Sequence, residues 1–214
     1  MRAGYFVTGT DTGVGKTLAS CALLHAFRAA GHSAAGMKAV SAGGDDAERL
    51  ARAGAHRVVC PYALNIPVSP HIAARREGVR IDPGRIREAL LEISADIAIV
   101  EGVGGFFVPL DEDLLVSDLA RQLALPVIVV VGMRLGCLNH ALLTFDAVRR
   151  SGLELAGWIA SCIDPEMICL EENLATLSLR APLIGTIPFD PEISPQKAGE
   201  GLDLSRLPRF RNRG

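Results

Sequence analysis

The chain has 214 residues, a length that suits one α/β domain with its own hydrophobic core. Hydrophobic residues make up 49% and charged residues 21%, and the formal net charge of -2 gives no long-range attraction to nucleic acid or to a membrane, so we expect small-molecule partners. The five cysteines form no CxxC pair, no apolar run is long enough to cross a bilayer, and the N-terminus lacks the pattern of a signal peptide, which together predict a cytoplasmic protein without a disulfide framework or a zinc site.

Apolar runs bounded by glycine, proline or aspartate alternate along the chain with segments of helical spacing. Strands are predicted at 5–7, 34–40, 97–100, 127–131, 155–160 and 183–187, and helices at 18–30, 86–93, 114–123, 142–148 and 167–177. This alternation predicts a single α/β domain with a mostly parallel sheet and helices on both faces. Ligands of such sheets bind outside the carboxyl ends of the strands. We expect the tail after about residue 190, rich in proline, glycine and arginine, to be partly mobile.

A glycine-rich segment joins the first predicted strand to the first predicted helix. Its glycines let backbone N–H groups converge on phosphate oxygens, its lysine reaches the outer phosphates, and its last threonine can ligate Mg²⁺. Five residues separate Gly9 from Gly15, one more than in the usual motif. The sequence therefore predicts a P-loop NTPase-like nucleotide site formed by Thr12, Gly13, Val14, Gly15, Lys16 and Thr17.

The same loop resembles that of partition and septum-positioning ATPases. Those ATPases carry an additional lysine early in the loop, where this chain has Asp11. The lysine that acts between their subunits is thus missing here. An ATPase of this type is one alternative function, and a small-molecule kinase is a second.

Two later strands end in charged residues at the same predicted edge of the sheet. Lys38 follows an apolar strand, where an ammonium group is costly without anions to meet, and we predict a second phosphate clamp rather than a surface lysine. Glu101 ends another apolar run and is predicted to ligate the metal, with a structural salt bridge as the alternative. Asp46, in a short acidic loop, would complete the metal shell, and Asp45 stays open for that role.

Taken together, these residues and several later segments resemble the dethiobiotin synthetase family. The resemblance covers residues 5 to about 188 and is carried by 9–17, Lys38, 101–105, 69–71, 135–141, 156–158 and 183–188. It implies that diaminopelargonic acid captures CO₂, supplied as bicarbonate, as a carbamate. The carbamate then attacks the γ-phosphate of ATP, and the second amine displaces phosphate and closes a ureido ring, so that ADP and phosphate are released.

The resemblance also implies roles for individual residues. Lys16 and Lys38 are the implied catalytic residues, and alanine at either is expected to abolish turnover with the fold intact. The implied Mg²⁺ ligands are Thr17, Asp46 and Glu101. Further implied nucleotide contacts are Gly102, Gly104, Ser161, Cys162, Pro188, Phe189 and Asp190. The implied substrate contacts are Lys38, Ser41, Ala42, Gly136, Cys137, Leu138, Asn139 and His140, the last five from the neighbouring subunit of a homodimer with shared active sites.

Three positions depart from the family pattern. Gly13 stands where the family often has glutamate, Ala42 where it often has serine, and Ser161 where it often has the asparagine that meets the base. The last change leaves open whether ATP or another nucleoside triphosphate is preferred. Ser41 is a candidate to replace the missing hydroxyl, and Asn139 is a candidate helix cap as well as a substrate contact.

Overall fold

The computed structural model describes residues 3–53, 58–208 and 210. The strands within these residues are β1 (Ala3–Gly9), β2 (Ala34–Lys38), β3 (Val40–Ala42), β4 (Val58–Val59), β5 (Tyr62–Leu64), β6 (Ile97–Gly105), β7 (Val127–Met133), β8 (Leu155–Cys162) and β9 (Leu183–Ile187). The α-helices are α1 (Lys16–Ala29), α2 (Asp46–Arg52), α3 (Pro70–Glu77), α4 (Pro83–Leu91), α5 (Val116–Leu123), α6 (Cys137–Arg150), α7 (Leu170–Ser178) and α8 (Pro195–Glu200). A short 3-10 helix follows at Leu204–Arg206.

Seven strands form one sheet in the order β4-β2-β6-β1-β7-β8-β9, and every pair in it is parallel. The inner strands are buried on both faces, as their unbroken apolar runs predict, so neighbouring residues of one strand belong to different cores. On β1, Phe6 packs into one apolar cluster and Tyr5 and Val7 into the other. The predicted α/β fold with a mostly parallel sheet is confirmed, and it brings the carboxyl ends of β1, β2 and β6 together at one edge.

The region between β2 and α4 contains more structure than the sequence predicts. The expected strand 34–40 ends at Lys38, and β3 continues separately to pair with β5. Asp46 is the first residue of α2, so the acidic loop proposed for it is wrong. Helix α3 has a proline at its first position and a left-handed Gly78 after its end, signals that were present in the sequence but not used.

The tail for which partial mobility was expected packs against α1 in the described residues. Gly199 of α8 lies so close to α1 that a Cβ added there would come within 2.7 Å of the Ala22 carbonyl oxygen. The Tyr5 hydroxyl donates to the carbonyl of Pro208 at 2.6 Å, and the rings of Phe27 and Phe210 lie 5.7 Å apart. The segment therefore covers part of α1. Within the described part of the chain, no helix is long and apolar enough to span a bilayer.

Candidate nucleotide and metal site

The loop between β1 and α1 takes a conformation that depends on two glycines. Gly13 and Gly15 have φ angles of 76° and 83°, in the left-handed region that favours glycine. Gly15 is also the residue before α1, and a Cβ there would lie 2.6 Å from the Ser161 hydroxyl oxygen. Val14 points inward and is buried. The loop thus runs from the end of β1 directly into the start of α1, as the sequence predicts for a phosphate loop.

Lys16 is held across this loop. Its side chain is buried, and its Nζ donates to the carbonyl oxygen of Asp11 at 2.8 Å. Burial, together with the nearby charge of Lys38, lowers the pKa of Lys16 to about 8. The carboxylate of Asp11 pairs with Arg134 at 2.8 Å, which ties the loop to the turn after β7. A phosphate anion would favour the charged form of Lys16 and give it a better partner than one carbonyl.

Lys38 lies at the centre of a buried cluster of charges and is only 2% exposed. Its Nζ is 2.7 Å from Glu101 Oε1 and 2.8 Å from Asp46 Oδ2, and it donates to the Gly102 carbonyl at 3.1 Å. Burial opposes its charge, but the two carboxylates outweigh burial and hold the pKa of Lys38 above its ordinary value. The surface-lysine alternative is therefore wrong, and Lys38 remains a permanent cation at this edge.

Thr17 joins the same two carboxylates from the other side. Its hydroxyl oxygen lies 2.8 Å from Asp46 Oδ1 and 2.9 Å from Glu101 Oε1, although one hydroxyl proton can serve only one of them at a time. Glu101 is fully buried, and its Oε2 has no hydrogen-bond partner among the described residues. Oxygen atoms gathered in this way are the ligands that Mg²⁺ prefers. The cluster fits the metal site predicted from the sequence, and Glu101 forms a salt bridge as well as facing the loop.

The cluster opens into a cavity of about 720 Å³. It is lined by Thr12, Gly13, Gly15, Lys16, Thr17, Leu18, Lys38, Ala42, Asp46, Arg49, Pro67, Val68, Ser69, Pro70, Glu101, Val103, Gly104 and Val108. Ser41 is absent from this wall in the described structure and instead donates to the Gly43 carbonyl at 3.3 Å. Asp45 precedes α2 and is exposed, so only Asp46 of the two aspartates reaches the charged cluster.

Comparison with known proteins identifies the family to which this chain belongs. An ATP-dependent dethiobiotin synthetase from Nitrosospira multiformis is 50% identical over 220 residues, covering 97% of this chain and 97% of that protein. One from Aromatoleum aromaticum is 51% identical over 218 residues, covering 94% of this chain and 96% of that protein. The chain belongs to the dethiobiotin synthetase family. It is thereby an ATP-dependent ligase that forms carbon–nitrogen bonds, and residues 3–197 match the AAA domain family.

Solved structures at low identity share the fold of this synthetase. The septum site-determining protein MinD from Pyrococcus horikoshii, complexed with Mg-ADP, superposes with a TM-score of 0.63 at 16% identity, over 98% of this chain and 90% of that one. The signal recognition particle 54 kDa protein from Aeropyrum pernix, in complex with GDP, gives 0.57 at 17% identity, over 91% of this chain and 42% of that one. These similarities establish a P-loop NTPase-like fold. The near 50% identity to synthetases overrules the partition-ATPase alternative.

Five of the predicted nucleotide contacts, Ser161 among them, lie at the ends of two neighbouring strands of the synthetase. Ser161 of β8 pairs with Ile187 of β9, so Cys162 and the segment 188–190 emerge side by side. Ser161 is only 4% exposed because the loop at Gly15 covers it. Cys162 is half-buried, and 188–190 are exposed. Of these predicted contacts, Ser161 lies directly against the phosphate loop at Gly15, and the others follow the ends of β8 and β9.

The residues assigned to the substrate carboxylate lie elsewhere on the synthetase chain. Gly136 precedes α6 with a φ of 93°, and Cys137 begins the helix. Asn139 is in the first turn of α6, and Gly136 holds the cap position, so the capping role considered for Asn139 is wrong. Asn139 and His140 are exposed, and within the described chain residues 136–140 lie outside the 720 Å³ cavity.

Sequence reasoning missed several residues that line this cavity. Pro67 and Val68, which lie between β5 and α3, reach it. No apolar run in the sequence predicts β5 or α3. Arg49 reaches it from α2, three residues after Asp46 and therefore on the same helical face. The spacing of Asp46 and Arg49 predicts that they share a helical face, but only if residues 46–52 form a helix.

Proposed function

We propose that this chain forms dethiobiotin from diaminopelargonic acid, CO₂ and a nucleoside triphosphate in the 720 Å³ cavity. The observation that supports this most directly is the cluster in which two lysines and two carboxylates surround Thr17 at the end of a phosphate loop. Phosphoryl transfer needs positioning and neutralisation of charge more than covalent catalysis, and this cluster supplies both. The family's named activity and the chemistry of the cavity therefore agree.

In this proposal the phosphate loop binds the triphosphate through its backbone N–H groups. Lys16 leaves the Asp11 carbonyl and donates to the outer phosphate oxygens. Thr17, Asp46 and Glu101 would hold Mg²⁺, and the ion would supply positive charge to the phosphates. Glu101 Oε2, which has no hydrogen-bond partner in the part of the chain that the structure describes, supports this assignment, since a buried carboxylate oxygen is costly without a donor or a cation.

Lys38 is proposed to hold the carbamate. It lies in the same cavity as Lys16, with Ala42 on the adjoining wall. Its raised pKa keeps it an ammonium throughout the neutral range, so it acts as a positive charge for the carbamate and the transferred phosphoryl group and not as a base. Ser41 would have to turn from the Gly43 carbonyl to contact substrate, which makes it the weakest member of the proposed substrate set.

A homodimer would supply the contact for the substrate carboxylate. Among the described residues, the backbone N–H groups of Leu138 and Asn139 at the start of α6 make no backbone hydrogen bond, but this helix start lies outside its own chain's cavity. Nearby apolar side chains are exposed, with Leu135 97%, Leu143 63% and Phe107 60% accessible, as expected for a surface that a second copy covers. We therefore assign residues 136–140 to the active site of the neighbouring subunit. We also place the enzyme in the cytoplasm, where nucleoside triphosphates are made and used.

For the nucleotide we propose ATP, with Ser161, Cys162 and the segment 188–190 nearest the base. A small-molecule kinase would leave phosphate on its product, whereas ring closure releases it. The deciding experiment measures phosphate release and product mass with ATP and Mg²⁺, with and without diaminopelargonic acid and bicarbonate. The proposal requires release to depend on both additions and a product with the mass of dethiobiotin. Release without the diamine, or a phosphorylated product, would overturn it, and Lys16→Ala serves as the inactive control.

A further inference from the structure

One cation of the cavity has no role in the proposed chemistry. Arg49 lines the wall that also carries Thr17, Asp46 and Glu101. It is on α2, three residues after Asp46, which places both side chains on the same helical face. Among the described residues, its guanidinium makes no hydrogen bond and no ion pair within 4.0 Å. An arginine has five donors, so this group is available to an anion that enters the cavity.

The position of Arg49 points to the phosphates and not to the diamine. Arg49 shares the cavity wall with Lys16, Thr17 and Leu18, the first three residues of α1. A P-loop receives its phosphates at this helix start. The positive charge of Arg49 also acts on Asp46, the proposed metal ligand.

We propose that Arg49 is a further phosphate-binding residue, whose guanidinium contacts oxygens of the bound nucleotide from the α2 side of the cavity. A guanidinium presents a planar fork to phosphate oxygens, whereas a lysine offers a point charge. Arg49 thus complements Lys16, which approaches from the phosphate loop. The inference rests on the nucleotide site of the proposed function but not on ring closure.

The test compares Arg49→Ala and Arg49→Lys with Arg52→Ala. Arg52 is an exposed arginine of the same helix that is not part of the cavity wall in the described structure. Arg52→Ala therefore removes the same charge from the same helix without changing the cavity. Calorimetry gives the Kd of ADP with Mg²⁺ and, separately, with a chelator. We expect Arg49→Ala to weaken ADP about tenfold in both conditions, Arg49→Lys to fall between, and Arg52→Ala to stay within about twofold of the parent. The KM for ATP should rise in parallel while kcat changes little.

Three results would overturn the inference. Equal ADP affinities for the Arg49 and Arg52 variants would show that Arg49 does not touch the nucleotide. A loss seen only with Mg²⁺ would mean that Arg49 acts through Asp46 and the metal. If Arg49→Ala weakens the binding of inorganic phosphate but not of ADP, Arg49 binds the released phosphate and not the nucleotide. Arg49-dependent ADP binding in a chain that makes no dethiobiotin would leave this inference standing and remove the proposed function.

Discussion

Replacing Lys38 with methionine is the sharpest test of the charged cluster, because it removes one charge while keeping the length of the side chain. Lys38 is 2% exposed and contacts both Glu101 and Asp46. The sequence alone predicts that loss of this lysine leaves the fold intact. Its burial leads to a different expectation, since the variant leaves Glu101 charged and fully buried without its cation.

The size of the effect follows from the distances. Two ions 2.8 Å apart attract by about 6 kcal/mol at an effective dielectric constant near 20. Desolvation offsets most of that attraction while the pair is intact, but removing one partner leaves the cost of the other and destabilises by about 3–5 kcal/mol. We take the lower half of that range, because the Asp46 side chain is 32% exposed and water relieves part of its charge.

Urea unfolding of the purified variants measures this difference at neutral pH without Mg²⁺ or nucleotide. The free energy of unfolding of Lys38→Met should be about 3 kcal/mol below that of the parent. Lys38→Met combined with Glu101→Gln should recover part of the loss, because the fully buried carboxylate at 101 is then replaced by a neutral amide. Saturating Mg²⁺ should stabilise Lys38→Met more than it stabilises the parent, since the metal replaces the missing cation. A Lys38→Met protein within 1 kcal/mol of the parent, or a double variant less stable than the single one, would refute the reasoning.

Four further outcomes follow from the site. Because the pKa of Lys16 is lowered to about 8 in the free protein, binding of Mg·ADP at pH 8 should be accompanied by the uptake of about half a proton. Calorimetry in buffers of different ionisation enthalpy measures this uptake, and Lys16→Met should abolish it. The same shift means that the folded protein loses the Lys16 proton at lower pH than the unfolded chain does, so the charged Lys16 destabilises the fold below pH 8. This destabilisation should fade as the pH rises from about 8 to 10.5. The difference in the free energy of unfolding between the parent and Lys16→Met, measured against pH, tests it. Glu101→Gln should raise the Mg²⁺ concentration needed for half-maximal turnover at least several-fold, and an unchanged requirement would contradict its role as ligand. Mixing Lys16→Ala chains with chains that carry both Asn139→Trp and His140→Trp should restore activity, up to one working site per heterodimer. If heterodimers confirmed by mass show no recovery, nucleotide and substrate bind within one chain.

The parts of the fold that the sequence predicts well are those where one physical signal dominates. The strands from β6 to β9 are announced by continuous apolar runs, and β9 has the predicted limits. Helix α2 escaped notice because it is short and buries only Leu50 in its own span. Helix α6 begins five residues earlier than the predicted 142, since its first turn is mostly exposed and carries little apolar periodicity.

The candidate site was predictable in its membership but not in its contacts. The sequence places Lys38 and Glu101 at strand ends, and a parallel sheet must then bring them to one edge, where register pairs these two residues directly. It does not reveal that the ammonium is buried between carboxylates, since that depends on α2 closing over β2. Arg49 was missed for the same reason.

The close approach of Gly15 and Ser161 makes the phosphate loop and the proposed base side of the site one mechanical unit. The loop rests on the serine hydroxyl, with no room for even a methyl group between them. A larger side chain introduced at 161 to change base preference has to turn away or lift the loop, and lifting the loop moves Lys16, the next residue along the chain. Attempts to re-engineer nucleotide choice at this position would therefore appear first as slower turnover with every nucleotide. Libraries that vary residue 161 together with the loop are the ones expected to separate specificity from rate.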